Sequence, residues 1–231
     1  ARRARVSIVG GELSMHPDTL TGPRDGYAFD ISGTCVGVLE DRPAITGSEI
    51  SPGDVILALE SNGIHANGMT LARKVLLGGP SGTDRYLGEC GRTVGEELLR
   101  PTNIYVPEVV AALDSGVSVH GLAHISGDGL LNLLRFDAEV GYRFDSLLPV
   151  SPVFDIIQLE GRVSDAEMYR VFNMGIGFCM VVPLEEVETT LKAIAGTGSQ
   201  ASVVGEVVPG PRRIELPTVG LMGKTGRSVP L

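Results

Sequence analysis

The sequence is poor in large aromatic side chains. It has no tryptophan, and aromatic residues make up only 5% of its 231 positions. Hydrophobic residues nevertheless reach 43%, which is enough to fill a core. That core must consist mainly of Val, Leu, Ile and Ala, and the 31 glycines add many turns. This composition favours a layered α/β protein.

Basic residues and cysteines are also scarce. Nineteen Lys and Arg against 28 Asp and Glu give a net charge of −9 and no basic stripe, so we expect neither nucleic acid nor an anionic membrane as a partner. Cys35, Cys90 and Cys179 form no C-x-x-C pair, which argues against a disulfide framework or a zinc site. No apolar run approaches the ~18–20 residues that span a bilayer. We therefore expect a soluble, cytoplasmic protein.

The beginning of the chain predicts an incomplete domain. The sequence starts without Met and enters an apolar run within a few residues. Alternating apolar residues predict strands over Arg5–Val9 and Tyr27–Glu40. Two strands cannot bury a core alone, so we interpret residues 1–47 as the last two strands of an incomplete amino-terminal domain, which pairs with something outside this chain or with a partner subunit. A fragment, a cleaved product or a partly observed chain would each explain this.

Residues 48–216 are predicted to form a carboxy-terminal domain of mixed sheet and packed helices, an α/β fold of the α+β type. The continuous apolar run Asp54–Leu59 predicts a buried strand. The glycine-rich residues 217–231 are predicted to form a loose tail. Further predicted helices are Met69–Leu77, Tyr105–Leu113, Pro149–Leu159, Ser164–Phe172 and Leu184–Ala195, and further strands are Val117–Ile125, Ile176–Val182, Ala201–Val208 and Arg213–Leu216.

The loop Ser61–Gly68 is the first candidate site. It lies between a predicted strand and a predicted helix, where backbone N–H groups and the helix dipole converge on an anion. Its glycines allow close approach of a ligand, and an imidazole adds a group that titrates near neutrality. A tight strand-to-helix turn is the alternative interpretation. The residues predicted to bind substrate or phosphate are Ser61, Asn62, Gly63, Asn67 and Gly68, with His65 as the catalytic candidate.

A second glycine loop, His124–Gly129, follows another predicted strand. It repeats the geometry of an anion-binding loop, although Ser-Gly-Asp-Gly is equally typical of an ordinary turn. Neither loop matches a Walker A or a dinucleotide-binding fingerprint. The candidate phosphate-binding residues here are His124, Ser126, Gly127, Asp128 and Gly129.

Two further places could contribute polar groups. Arg170 and Asn173 stand where a helix ends before a strand, and a guanidinium there could clamp a phosphate, although a surface ion pair is the more usual role. Gly10, Gly11 and Glu12 end the first predicted strand, and Glu12 could face a metal–phosphate group or a basic residue of a partner.

Several segments match, in order, the motifs of one enzyme family. Gly10–Glu12 is similar to G-G-E-T, and Asp30–Val38 is similar to D-x-A-G-F-x-V-G-V. Ser61–Gly68 is similar to S-S-G-x-H-S-N-G, Gly121–Gly129 to G-L-A-H-I-T-G-G-G, and Glu167–Gly177 to E-M-Y-R-T-F-N-M-G-I-G. From about residue 6 to residue 216 the sequence resembles aminoimidazole ribonucleotide synthetase, the phosphoribosylformylglycinamidine cyclo-ligase of purine biosynthesis, without most of the amino-terminal ATP-binding half.

The resemblance implies an ATP-dependent ring closure on a phosphorylated substrate. The formyl oxygen would be phosphorylated, the amidine-derived nitrogen would attack that carbon, and phosphate would leave. It also implies a homodimer, and ATP and magnesium held mainly by residues outside this chain. Such chemistry needs an acid or base near neutral pH, and His65 and His124 lie in the candidate loops, unlike His16 and His120. His65 is the first choice.

Three departures from the family motifs bear on the substrate. Asp128 replaces the middle glycine of G-G-G, Asn103 stands where P-T-R-I-Y-V has arginine, and Leu130–Phe136 lacks the usual E-N-x-P-R. Two alternatives therefore stand beside the cyclo-ligase. One is a related ATP-using enzyme of the same superfamily with a different substrate, and the other is a non-catalytic binding or regulatory fragment.

Overall fold

A computed structural model of the protein describes residues 1–15, 19–22, 26–39, 42–79, 81–224 and 227–230, the last four by their backbone alone. The chain divides into two compact units, residues 1–44 and residues 45–231.

The first unit has no strand among its described residues. The strands predicted over Arg5–Val9 and Tyr27–Glu40 are therefore not formed there, and Glu40 itself lies outside the described residues. Their apolar side chains are exposed, with Val9 at 96% and Ile31 at 83%. A strand needs a neighbouring backbone to pair its N–H and C=O groups, and the described part of this unit supplies none.

The second unit contains a mixed eight-stranded sheet in the order β10-β9-β8-β5-β7-β1-β6-β4, and β2 with β3 form a separate small sheet. Neighbouring strands are antiparallel except β5 and β8, which are parallel. The strands are β1 Val55–Glu60, β2 Tyr86–Leu87, β3 Arg92–Thr93, β4 Gly121–His124, β5 Gly141–Phe144, β6 Ile176–Val182, β7 Ala201–Val208, β8 Arg213–Leu216, β9 Leu221–Lys224 and β10 Arg227–Pro230.

Helices cover both faces of this sheet. Alternate residues of β1 point to opposite faces, so Ile56 and Ala58 join one core cluster, whereas Leu57 and Leu59 join the other. The first cluster includes residues of α1, α4 and α5, and the second includes residues of α3 and α6. The helices are α1 Met69–Leu76, α2 Val94–Leu98, α3 Val106–Asp114, α4 Pro152–Gly161, α5 Asp165–Val171 and α6 Val187–Ala195, with 3₁₀ turns at Gly82–Asp84, Gly88–Cys90, Gly129–Arg135, Leu184–Glu186 and Pro217–Val219.

The predicted α/β class and mixed sheet are confirmed. The strands β6, β7 and β8 have the predicted bounds, whereas β5 was not predicted. The tail predicted to be loose contributes β9, whose Leu221 pairs with Leu216 of β8 and is 4% exposed. The turn at Pro217–Gly220, closed by a left-handed glycine, returns the chain onto the sheet edge and buries that leucine. Residues 225, 226 and 231 of this tail lie outside the described residues.

Candidate functional site

The two candidate loops leave the same edge of the sheet. Strands β1 and β4 both pair antiparallel with β6, so they run in the same direction and their carboxyl ends lie on either side of the start of β6. Ser61–Gly68 continues β1, and His124–Gly129 begins at the last residue of β4. The sheet topology therefore brings together two loops that are about sixty residues apart in the sequence.

Aromatic rings line the space between these loops. The imidazoles of His65 and His124 lie parallel, with ring centroids 6.2 Å apart. The ring of Tyr105 lies 6.2 Å from the first and 6.1 Å from the second. Gly177 of β6 makes this arrangement possible, because a Cβ there would fall 1.8 Å from Tyr105 Oη and 2.9 Å from His65 Cε1. The tyrosine hydroxyl donates to the carbonyl of Glu60 at 2.7 Å.

The backbone of the first loop turns sharply through left-handed conformations. Gly63 has φ +135°, His65 has φ +60° and Gly68 has φ +76°. Such values suit glycine and are uncommon for other residues, although histidine, asparagine and aspartate adopt them more often than most. Gly68 must also lack a side chain, because a Cβ there would lie 2.3 Å from the Phe172 ring. The helix α1 follows directly, so its free N–H groups face this loop.

Asn173 holds the first loop in place. Its Oδ1 accepts from Ser61 Oγ at 2.7 Å and from Gly175 N at 3.0 Å. Its Nδ2 donates to the carbonyls of Gly63 at 2.8 Å and Ile64 at 3.3 Å. With a side chain 3% exposed, this amide is fully engaged within the protein. Asn173 therefore fixes the conformation of the loop from its buried side.

The second loop is anchored by a residue that the sequence did not single out. Asn132 Oδ1 accepts from Ser126 N at 2.7 Å, and its Nδ2 donates to Gly127 O at 2.8 Å. The only available signal was one asparagine within an apolar run. Gly127 also approaches the first loop, since a Cβ there would lie 3.5 Å from Asn67 Oδ1. The two loops are thus neighbours at a second point.

Asp128 occupies a left-handed position on the outside of the second loop. Its φ is +75°, which explains why glycine is favoured there and why aspartate, one of the residues that tolerate this region, is accepted. Its carboxylate pairs with Arg135 at 3.0 Å, and both side chains are exposed. The negative charge of Asp128, which would oppose an anionic phosphate, is therefore partly compensated by the neighbouring arginine.

His65 is buried and neutral. Burial, then His124 and then Arg100, lower the pKa of His65 to about 4. Its Nε2 accepts from Asn62 N at 3.4 Å, which assigns the proton of the neutral ring to Nδ1. Partial burial lowers the pKa of His124 as well. Both imidazoles are therefore uncharged at neutral pH.

Two buried polar atoms of the first loop have no hydrogen-bond partner among the described residues: His65 Nδ1 and Asn62 Oδ1. The Asn62 Nδ2 donates to Pro101 O at 2.8 Å, so its oxygen is a free acceptor, whereas His65 Nδ1 is a free donor. An unsatisfied buried polar group costs about 1–3 kcal/mol. The loop therefore offers one donor and one acceptor to a polar ligand.

The remaining predicted site residues lie elsewhere. Arg170 donates to Glu167 at 2.9 and 2.7 Å on the exposed side of α5, in the ordinary surface ion pair that was the alternative to a phosphate clamp. Gly10, Gly11 and Glu12 belong to the first unit and are exposed.

Within the described ranges, no three His, Cys, Asp or Glu side chains are grouped to hold a metal ion. No helix of those residues is long and apolar enough to cross a membrane.

Comparison with known proteins identifies one family. Residues 51–215 match the family described as AIR synthase related protein, C-terminal domain. The chain is 45% identical over 210 residues to the phosphoribosylformylglycinamidine cyclo-ligase of Methanopyrus kandleri, covering 91% of this chain and 59% of that protein. It is 40% identical over 222 residues to the protein of the same name from Pyrococcus horikoshii, covering 96% and 62%.

The chain thus spans about three fifths of the length of these relatives. Among solved structures, the hydrogenase maturation protein HypE in complex with ATP aligns with a TM-score of 0.49 and 20% identity, covering 79% of this chain and 53% of that one.

Proposed function

This chain belongs to the AIR synthase related protein family, and on that basis we propose that it is the carboxy-terminal part of a phosphoribosylformylglycinamidine cyclo-ligase. Support comes from relatives of that name that match nearly the whole chain at 40–45% identity. The loop centred on His65 carries the proposal, because it presents a buried unpaired N–H donor beside the start of a helix. Both features suit an anionic oxygen.

The proposed reaction closes an imidazole ring. ATP phosphorylates the formyl oxygen of formylglycinamidine ribonucleotide, the amidine-derived nitrogen attacks that carbon, and the carbon–oxygen bond breaks with release of inorganic phosphate. The two loops bind the phosphorylated substrate and hold it so that nitrogen and carbon meet. The neutral His65 donates through Nδ1 to a substrate oxygen.

Binding of an anion would also prepare His65 for proton transfer. A nearby negative charge stabilises the imidazolium and therefore raises the pKa of a histidine. In the free protein burial holds the pKa of His65 at about 4, too low for a base that must carry a proton at neutral pH. We propose that the substrate phosphate moves this pKa upwards, so that His65 accepts a proton only when substrate is bound.

ATP and magnesium are part of the proposal, and their main ligands are proposed to lie outside this chain. Among the described residues no three His, Cys, Asp or Glu side chains are grouped to hold a metal ion, and near the loops Glu97 pairs with Arg92 and Arg100, and Asp128 pairs with Arg135. The described residues therefore do not fit a magnesium site, and we derive no step through the metal. That Gly10, Gly11 and Glu12 face the nucleotide, and that the protein is a homodimer, are proposals of the same kind.

A second candidate is a related ATP-using enzyme with a different substrate. Asp128 and Asn103 favour it, because both depart from the motifs of the cyclo-ligase family. Asn103 donates to Glu60 O at 3.3 Å, beside the first loop, so a guanidinium expected at that position is replaced by an amide at the site itself. Turnover of formylglycinamidine ribonucleotide with ATP distinguishes the two candidates.

The test uses the full-length protein, which is the complete product of the open reading frame that encodes this chain. It is incubated with ATP and formylglycinamidine ribonucleotide, and ADP and aminoimidazole ribonucleotide are quantified. We expect one ADP for each imidazole formed and no ADP above background without the ribonucleotide. Absence of both products from a folded protein would refute the cyclo-ligase assignment and leave the second candidate.

A further inference from the structure

A buried carboxylate flanked by two arginines lies next to the first loop. Glu97 of α2 is 2% exposed. Its Oε2 accepts from Arg92 Nη1 at 3.1 Å, and its Oε1 accepts from Arg100 Nη1 at 3.4 Å. Burying a carboxylate is unfavourable unless it is paired. The two arginines explain why Glu97 can be buried here.

The local sequence fixes where this cluster stands. Thr93 and Glu96 form a capping box that fixes the start of α2. Glu97 follows Glu96 directly in this helix, so its position is fixed as well. Arg100 N donates to Glu97 O at 3.2 Å, which closes the end of the helix. The following carbonyl, that of Pro101, accepts from Asn62 Nδ2 at 2.8 Å. The segment that carries Arg100 is thus tied directly to the candidate loop.

The carboxylate and the guanidinium both touch the turn at Gly63. A Cβ on this residue would lie 2.9 Å from Glu97 Oε1 and 3.3 Å from Arg100 Nη1, so no side chain stands between the cluster and the loop backbone. The positive charge of Arg100 is also one of the causes that lower the pKa of His65. Arg100 and His65 are therefore electrostatic neighbours across the loop.

The positive charge of Arg100 is only partly compensated. Glu97 is shared with Arg92, which also interacts with Glu96, and no acidic side chain other than Glu97 among the described residues forms an ion pair with Arg100. Arg100 makes the longer of the two contacts, and 29% of its side chain remains exposed. An arginine has five N–H donors in a rigid fork. Most of those of Arg100 are available to a ligand.

We propose that Arg100 is a further phosphate-binding residue of this site and that Glu97 is its positioning residue. The inference rests on the proposed function and names the group that binds the anionic end of the substrate. Arg170, predicted from the sequence for that role, has its donors directed to Glu167. Arg100 instead stands against the turn at Gly63, in the loop that contains the unpaired His65 Nδ1, so we expect both groups to contribute to binding of the phosphate.

The test is a titration of the full-length protein with inorganic phosphate, followed by the NMR signals of the His65 ring, which are assigned with a His65→Asn variant. Arg100→Gln removes the charge and Arg100→Lys keeps it without the fork. Arg143→Gln is the control, because that exposed arginine pairs with Asp145 on a strand outside the site. We expect Arg100→Gln to weaken phosphate binding by roughly tenfold or more, as loss of a charged hydrogen bond would.

Arg100→Lys should fall between the wild type and Arg100→Gln, and Arg143→Gln should match the wild type. Equal phosphate affinity of the wild type and Arg100→Gln would overturn the proposal. So would the absence of any phosphate-dependent shift of His65 in the wild-type protein.

Glu97→Gln separates positioning from simple charge balance. Removing a negative charge would strengthen phosphate binding if Glu97 were only a counter-charge. If Glu97 positions Arg100, the same variant binds phosphate more weakly, and the latter is the expected result. Ring closure is assayed in parallel: an active enzyme whose Arg100→Gln variant binds phosphate normally refutes this inference alone, whereas an inactive wild type refutes the proposed function.

Discussion

The rings of His65 and His124 are parallel to within 4°, with 6.2 Å between their centroids. One residue comes from the loop after β1 and the other from the end of β4, so this pair marks the point where the two candidate loops meet. Burial is the main cause that lowers the pKa of His65, and His124 lowers it further, because two like charges would face each other at short range.

The first prediction concerns the titration of His65. Its NMR midpoint should lie near pH 4, since burial, His124 and Arg100 lower the pKa of His65 to about 4 from an ordinary 6.5. A His124→Asn substitution removes the second-largest cause and should raise the midpoint. A midpoint near 6.5 in the wild-type protein would contradict the burial of a neutral ring.

The same pKa difference predicts how stability changes with pH. The unfolded chain binds a proton at His65 below pH 6.5, whereas the folded protein does so only near pH 4. The stabilising contribution is therefore complete above pH 6.5 and is lost as the pH falls through the folded value. The free energy of unfolding should decline less steeply between these pH values in His65→Asn than in the wild type, as urea denaturation would measure. Parallel curves would exclude this linkage.

A third prediction uses the left-handed conformation of Asp128. Alanine at φ +75° should destabilise the protein by about 1 kcal/mol, because it keeps the Cβ that crowds the backbone but loses the short polar side chain with which aspartate tolerates this conformation. Glycine is free of that strain, so Asp128→Gly should leave the free energy of unfolding nearly unchanged and should strengthen phosphate binding by removing a carboxylate. Urea denaturation of both variants provides the comparison. Equal destabilisation by the two substitutions would show that the Arg135 ion pair, and not the backbone, determines stability at this position.

A fourth prediction concerns Gly129, where a side chain has no room. A Cβ at this residue would lie 2.2 Å from the backbone oxygen of Tyr169, and a backbone atom cannot move away cheaply. We expect Gly129→Ala to lower the free energy of unfolding by about 3 kcal/mol or more. Gly116→Ala is the matched control, because Gly116 also has a positive φ but has nothing within 4 Å of the added atom. Thermal unfolding of the two variants should differ clearly; similar melting temperatures would contradict the packing described for the second loop.

The fifth prediction separates the two halves of the Asn173 amide. Asn173→Asp keeps the acceptor for Ser61 Oγ and Gly175 N but loses the donor to Gly63 O and Ile64 O. A carboxylate would then face two carbonyl oxygens, so we expect a loss of about 2–4 kcal/mol in the free energy of unfolding. Asn173→Ala should cost a similar amount. A neutral effect of both changes, measured by urea denaturation, would mean that Asn173 does not hold the loop.

The sequence was most informative where local pattern and tertiary structure agree. The apolar run of β6 and the valine-rich segment of β7 predicted the strand bounds that the structure has. The two loops follow strands as predicted, whereas the left-handed conformations within Ser61–Gly68 were not predicted. The adjacency of the loops was not predictable residue by residue, because it follows from β1 and β4 sharing β6 as a neighbour.

Residues whose role depends on distant contacts escaped prediction. Glu97 is a charged residue of a short helix, and only its contacts with two arginines explain its burial. Asn132 has no local signature beyond its polarity. Arg170 was predicted as a possible clamp, although its spacing of three residues from Glu167 on a helix is typical of a surface ion pair. The strands expected in residues 1–40 are not formed for a different reason, since a strand requires a partner that the described residues of this unit do not provide.

The central claim is that the loop centred on His65 binds the substrate of a ring-closing ligase. Its most direct test is the rate of aminoimidazole ribonucleotide formation by full-length His65→Asn compared with His120→Asn, which alters an imidazole paired with Asp54 outside the two loops. We predict a loss of roughly a hundredfold or more in kcat for His65→Asn, the contribution typical of a positioned acid or base, and a near-normal rate for folded His120→Asn. Equal turnover by the two variants would contradict the assignment of His65.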